Sequence, residues 1–310
     1  PEMTSFRFER FVFTAEVVDD LHLPPFKGGS LRGALGELTR QVVCVKKRGL
    51  CSDCGEASCV YRSLFEATDE KGRPIAAPYV LEPPADDRTL IPRGEELSFG
   101  LVLVGRALTL LPFLVMVFDE VGKEGIGRFR SRYRLRQVCV DGKEVYSDGR
   151  LVVLPQGKSL EDVWTGLPHD DGAIRIDFLT PVHLREEGRL ADPARFPVLF
   201  DSVYRRVKLL ARFHSDERLR EDPALREAAA NVKLLGSDTK LRTVERLSRT
   251  LGRFLKYDGY VGWLTFAGVA PEIAQWLKAG EYLHVGHGCT FGLGRYTISS
   301  ALSSTVKDQA

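Results

Sequence analysis

Apolar and polar residues alternate from Phe6 to Val18, a period of two that predicts a half-buried strand. A loop with His22, two prolines and Lys27 follows. Ser30 then stands as the cap of a helix to about Cys44, with Leu31, Ala34, Leu35, Leu38 and Val42 recurring at helical spacing. Further on, Ile75–Leu81 and Leu97–Val104 read as strands, Ala107–Val121 as an apolar helix and Arg128–Val140 as a closing strand. After a polar, glycine-dotted stretch the series starts again. Ile174–Leu184 predicts a strand, Phe196–Phe213 and Pro223–Leu235 helices, and Leu241–Tyr257 with Tyr260–Ala267 a hairpin turning at Asp258-Gly259. Pro271 opens a short helix to Ala279, and Tyr296–Ala301 ends the pattern as a strand.

Each half therefore runs strand-helix-strand-strand-helix-strand. That order predicts an α+β protein of two tandem ferredoxin-like (RRM-like) domains. The boundaries read as 1–145 for the first domain, 146–172 for a linker with a hairpin, and 173–310 for the second. Local sequence supports a duplication: Gly125-Ile-Gly-Arg-Phe129 shares its pattern with Gly292-Leu-Gly-Arg-Tyr296, each after a helix and before a strand. The second copy closes a glycine-rich loop, 286–294. Gly286, Gly288, Gly292 and Gly294 permit positive φ there, so backbone amides can approach a phosphate, with Arg295 adding charge. A glycine-rich hairpin turn is the plainer alternative.

At 310 residues the chain has room for two cores, and no apolar run reaches membrane-spanning length without a charge. No membrane association is expected, and the N-terminal residues lack a secretory pattern, so a cytoplasmic setting is expected. The net charge of +2 is uninformative, but basic residues cluster in Lys27–Arg48, Lys123–Arg136 and Lys240–Lys256, with the balancing acids elsewhere. Arg128, Arg130, Arg132, Arg134 and Arg136 recur at every second position. On one strand they would form a single row spaced about 7 Å apart, with Phe129, Tyr133 and Leu135 facing the core. Such a row meets either protein carboxylates or phosphates.

Cys44, Cys51, Cys54 and Cys59 lie within an insertion, residues 44–66, at C-x6-C-x2-C-x4-C spacing. Four thiols so close in a reducing setting favour a structural zinc over disulfides, with free thiols or a redox pair as the alternative. Such a site leaves no ligand position open for catalysis.

With Phe26-Lys-Gly-Gly-Ser-Leu-Arg-Gly-Ala-Leu35, the cysteine insertion ending in Tyr61-Arg-Ser-Leu-Phe-Glu66, Val104-Gly-Arg-Ala-Leu108, Gly125-Ile-Gly-Arg128 and His284–Tyr296 in order, the chain resembles the CRISPR-associated repeat-processing endoribonucleases of the RAMP superfamily. The resemblance implies tandem ferredoxin-like domains that bind CRISPR repeat RNA and cut precursor crRNA. Cleavage would need no metal or other cofactor: the ribose 2′-OH attacks the adjacent phosphate, leaving a 2′,3′-cyclic phosphate and a 5′-OH. The alternative within the superfamily is a non-catalytic RNA-binding subunit of an interference complex; association with such a complex or a homodimer is expected. The reaction needs a base, an acid and positive charge at the phosphorane. His22, beside the first helix, best matches the family's catalytic histidine, with Lys27, Arg32 and Lys46 as charge stabilisers. RNA contacts are expected from the arginine row, from Gly286, His287, Gly288, Gly292, Gly294 and Arg295, and from aromatics such as Tyr257, Tyr260 or Trp263. His284 reads as a buttress of the loop.

Overall fold

A computed structural model describes residues 5–46, 51, 54, 56, 58–147, 149–164, 172–248 and 252–301. The chain divides into two compact units, one built mainly on residues 8–157 and the other on 158–212 and from 216 onward. The division at 157/158 falls inside the segment read as a linker.

In the first unit, β1 (Phe8–Val17) pairs antiparallel on one side with β5 (Glu96–Val104) and on the other with β6 (Tyr133–Val140). Strand β3 (Tyr79–Glu82) flanks β5, and β7 (Lys143–Ser147) and β8 (Arg150–Leu151) extend the β6 edge. The central order β3-β5-β1-β6 is the ferredoxin-like arrangement. Helices α1 (Gly28–Val43) and α3 (Leu111–Glu124) pack on the sheet, with α2 (Val60–Phe65) beyond α1 and a short ribbon of β2 (Leu21–His22) and β4 (Leu90–Ile91) beside it. Alternation along β1 puts Phe11, Phe13 and Ala15 inward. Phe13 meets Phe99 and Phe118 with ring centroids 5.2 and 5.1 Å apart, which centres the core.

The second unit repeats the plan. β9 (Ile174–Val182) lies between β13 (Arg253–Ala267) and β14 (Tyr296–Ser300), and β12 (Lys233–Ser248) pairs with β13, giving the order β12-β13-β9-β14. A small ribbon of β10 (Leu184–Glu186) and β11 (Arg189–Ala191) follows β9. Helices α5 (Phe196–His214) and α7 (Pro271–Leu283) bury one face of the sheet, joined by short α4 (Leu160–Trp164) and α6 (Pro223–Ala230). Phe196 packs on Phe266 at 4.8 Å and Tyr204 on Trp276 at 4.6 Å.

The duplication extends to a buried tyrosine. Tyr133 of β6 donates its hydroxyl to the Phe118 carbonyl at 2.7 Å, and Tyr296 of β14 donates to Leu277 at 2.6 Å. Each ring lies where a side chain on a helical glycine would stand, Gly122 in α3 and Gly280 in α7. The equivalent of Tyr296 is therefore Tyr133, whereas Phe129, its partner in the sequence repeat, is 64% exposed.

Three local expectations change. Helix α1 starts at Gly28 with Lys27 as its cap, so Ser30 is inside the first turn. Helix α6 ends at Ala230, and the residues assigned to its last turn begin the long strand β12. Asp258-Gly259 is not a turn: it lies within β13, facing Thr243 and Arg242. Asp258 accepts a bond from the Thr243 hydroxyl at 2.6 Å, and a Cβ on Gly259 would stand 2.9 Å from Pro181. Close packing on β9 explains that glycine.

Candidate functional site

In the first unit, Gly125 and Gly127 take φ values of +89° and +79°, and Ile126 and Ser131 exchange two backbone hydrogen bonds of 2.9 and 3.1 Å. The chain thereby makes a small loop whose tip carries Arg128, Phe129 and Arg130, all exposed. Strand β2 brings His22 against it. The His22 ring meets the edge of Phe129 at 5.3 Å, and the Arg128 guanidinium lies 5.7 Å over the same ring. A Cβ at Gly127 would come within 2.8 Å of the His22 carbonyl, so glycine is what lets the two segments touch. The histidine and the first glycine-arginine corner, far apart in sequence, thus form one exposed cluster of imidazole, aromatic ring and guanidinium.

The five arginines do not form a row. Arg128 and Arg130 sit in the loop, and only Arg134 and Arg136 lie in β6. A bulge at Arg136, opposite Thr14 and Ala15, then reverses the strand's alternation. Carboxylates take three of the five. Arg132 binds Asp19 with Nε–Oδ2 at 2.8 Å, Arg136 binds Glu16, and Arg130 reaches Glu124 at 3.9 Å. The hydrogen bonds from Arg136 and Arg132 hold Glu16 and Asp19 below the usual carboxylate range. Arg128 and Arg134 remain exposed, as does Phe129, which was expected in the core.

Lys27 is fully buried. Its Nζ donates to the Asp86 carboxylate at 3.0 Å, the Asp86 carbonyl at 2.8 Å and the Pro25 carbonyl at 3.4 Å. It therefore staples the loop ahead of α1 and does not present charge to a substrate. Arg32 lies 5.1 Å over the Phe65 ring, and Lys46 is exposed on the rim of a cavity shared with Cys44, Cys51, Cys54 and Cys59. The expected charge stabilisers are thus engaged in three different places.

In the second unit the glycine-rich loop is closed largely on itself. Its Gly292 and Gly294 are buried, and their amides donate to Cys289 and Pro181 at 3.0 and 2.9 Å. Arg295 is bracketed by Thr180, which accepts from its amide at 2.9 Å, while Leu179 donates to its carbonyl at 2.9 Å. Backbone amides of Gly292 and Gly294 are consequently spent, and the reading of a phosphate cradle there does not hold. His284, buried at φ +59°, bonds the Leu293 carbonyl through Nδ1 at 3.0 Å and buttresses the loop as expected. What the loop exposes is His287, between the partly exposed Gly286 and Gly288.

His287 meets the ring of His183 at 5.5 Å. His183 accepts from Arg185 Nε at Nε2, 3.1 Å away, so its Nδ1–H is the donor to the Asp258 carbonyl. Burial first, then Arg185 and His183, push the His287 pKa down, favouring its neutral form. Around the pair, Tyr257 packs edge-on to Phe291 at 5.1 Å and the Arg246 guanidinium lies 5.0 Å from the same ring. The basic face of α5 is occupied instead: Arg206 donates to the Leu283 carbonyl at 2.7 Å, and Lys208 pairs with Glu221 at 2.7 Å.

Comparison with known proteins decides between families. Residues 176–296 match the family model described as CRISPR-associated endoribonuclease Cas6, and residues 6–158 match an AF_1859 N-terminal domain. The second unit of the chain thus carries the match to Cas6. Among curated proteins none matches it. A Thermus thermophilus Cas6 solved as a product complex superposes with a TM-score of 0.57 at 17% identity, covering 94% of this chain and 99% of that one. A second Cas6 product complex gives 0.55 at 19% identity over 94% and 99%. The Cas6-bearing chain of a partial Cas6-RT-Cas1–Cas2 complex gives 0.59 at 14% identity, covering 96% of this chain and 47% of that one. These likenesses establish the tandem ferredoxin-like fold. The family matched by residues 176–296 is described as endoribonucleolytic.

Two features of the chain are not visible in its sequence. His183 stands against His287, because the end of β9 and the glycine loop meet only in the folded unit. Phe129 was assigned inward by strand alternation, and the positive φ of Gly127 and Arg130 was the missing signal. No helix among the described residues is long and apolar enough to cross a membrane.

Proposed function

We propose that this chain binds CRISPR repeat RNA and cuts precursor crRNA without a catalytic metal, with His22 as the proton-transfer group. The observation that carries the reading is the exposed cluster of His22, Phe129 and Arg128. In the proposed step the imidazole takes the proton from the ribose 2′-OH. The 2′-oxygen forms its bond to the adjacent phosphorus as the bond to the 5′-oxygen breaks, and the leaving oxygen takes a proton from solvent water. The products are a 2′,3′-cyclic phosphate and a 5′-OH. Arg128, being exposed and beside the imidazole, is suited to balance charge on the phosphorane, and Phe129 to stack on an unpaired base.

The test is cleavage of an end-labelled repeat RNA by the full chain in EDTA. Cyclic-phosphate products are expected, with His22→Ala slowing single-turnover cleavage by about 10²–10⁴-fold while RNA affinity stays near the parent value. Loss of cleavage in EDTA, or an unaffected rate in H22A, overturns the mechanism. Binding with no cleavage by the parent chain returns the subunit reading.

A further inference from the structure

Among the described residues, the segment between α1 and α2 contributes nothing to the cluster around His22, yet its four cysteines line one cavity. Cys44 is the residue capping the C-terminus of α1, and Cys59 stands immediately ahead of α2. Between them the Cys54 amide donates to the Cys51 carbonyl at 3.2 Å, which holds the two ends of the C-x2-C pair near each other. All four residues line one cavity, together with Arg40, Lys46, Arg62 and Tyr61. The thiols are unoxidised, and Cys44, Cys51, Cys54 and Cys59 are all partly buried. Arg40 lies 5.6 Å over the Tyr61 ring and so is held at the cavity wall.

We propose that Cys44, Cys51, Cys54 and Cys59 bind one zinc ion as a structural tetrathiolate clamping α1 to α2. The donor set is the one zinc prefers when no open position is required, and its C-x2-C element is the usual chelating half of such sites. A zinc bound by four thiolates carries two net negative charges. Three cationic side chains line this cavity, whereas Glu56 is the one carboxylate among its lining residues. Among the described residues no three ligating side chains are gathered closely enough to hold an ion as they stand. Ligands of this kind are drawn together by the metal, whose binding supplies the closing free energy. The clamp has a clear mechanical object: α1 ends and α2 begins at ligands, and α2 brings Phe65 onto Tyr79 of the sheet at 5.5 Å.

Metal analysis of the full chain, purified under reducing conditions without chelator, tests this. The expected result is near one zinc per chain, with cobalt replacement giving thiolate charge-transfer and tetrahedral d–d absorption. Cys51→Ser with Cys54→Ser should lose both the metal and the cobalt spectrum, while Cys139→Ser with Cys289→Ser keeps them. Should the first variant not fold, thiol counting in the native parent chain serves instead. Four thiols are then shielded from a disulfide reagent and become reactive as a chromogenic chelator takes up zinc. A metal-free chain, iron in place of zinc, a disulfide in the mass, or undiminished zinc in the C51S/C54S variant overturns the proposal.

Discussion

Burying a lysine ammonium is costly unless hydrogen bonds and a counter-charge replace its water, and Lys27 has both. Lys27→Ala removes three bonds and strands Asp86, whose side chain is 38% exposed and regains part of its hydration. A loss of about 2–3 kcal/mol of stability is expected, below the value for a fully buried pair. The pH dependence follows from Asp86. Burial by itself would raise its pKa, but hydrogen bonds from Lys27 and Arg88 outweigh that and lower it. A lowered folded-state pKa gives stability that is complete above the unfolded value of about 3.9 and is lost as pH falls through the folded one. Denaturant titrations should therefore show the parent–variant gap full at pH 7 and shrinking below about pH 4. Cleavage per folded molecule should be unchanged, since Lys27 does not face solvent. Its role was hidden in the sequence because Asp86 is 59 positions away. His22 was singled out by its place just ahead of the first helix, whereas its contact with Phe129 was not legible.

Among the elements, two glycines with almost the same φ should respond differently to alanine. Gly294, at +74°, has the Val285 carbonyl oxygen 1.8 Å from where a Cβ would sit. Gly142, at +76°, follows Asp141 at +48° in the turn joining β6 to β7 and faces open space. Gly142→Ala should cost roughly 1–2 kcal/mol, the left-handed penalty alone. Gly294→Ala adds a backbone clash and should cost roughly 3–4 kcal/mol, read as lower midpoints in urea for the second unit. Equal losses would show that the glycine loop yields more easily than its hydrogen bonds imply. The strand and helix order was readable because alternation and helical spacing are local properties. Turn placement was not: Asp141-Gly142 turns, whereas Asp258-Gly259 lies in a strand because Pro181 of β9 presses on it. The same limit undid the arginine row, where loop and bulge break a period that the sequence displays without interruption.

For the molecule as a whole, a net charge of +2 leaves RNA affinity to the distribution of cations and not to their sum. Arginines already bound to carboxylates release few counterions when a phosphate arrives, because the protein has neutralised them. Arg132 and Arg136 are in that condition, whereas Arg128 and Arg134 are exposed. Repeat-RNA affinity measured across a salt series separates the two classes. Arg128→Gln and Arg134→Gln should each flatten the plot of log affinity against log salt by about 0.7, the value for one phosphate contact on a single strand. Arg132→Gln and Arg136→Gln should leave the slope nearly unchanged. Their partners Asp19 and Glu16 would lose the hydrogen bonds that depress their pKa, so the effect of those two variants belongs to folding stability at neutral pH and fades in acid. Equal flattening by all four would mean that the carboxylates give way on binding and that the arginines act together after all.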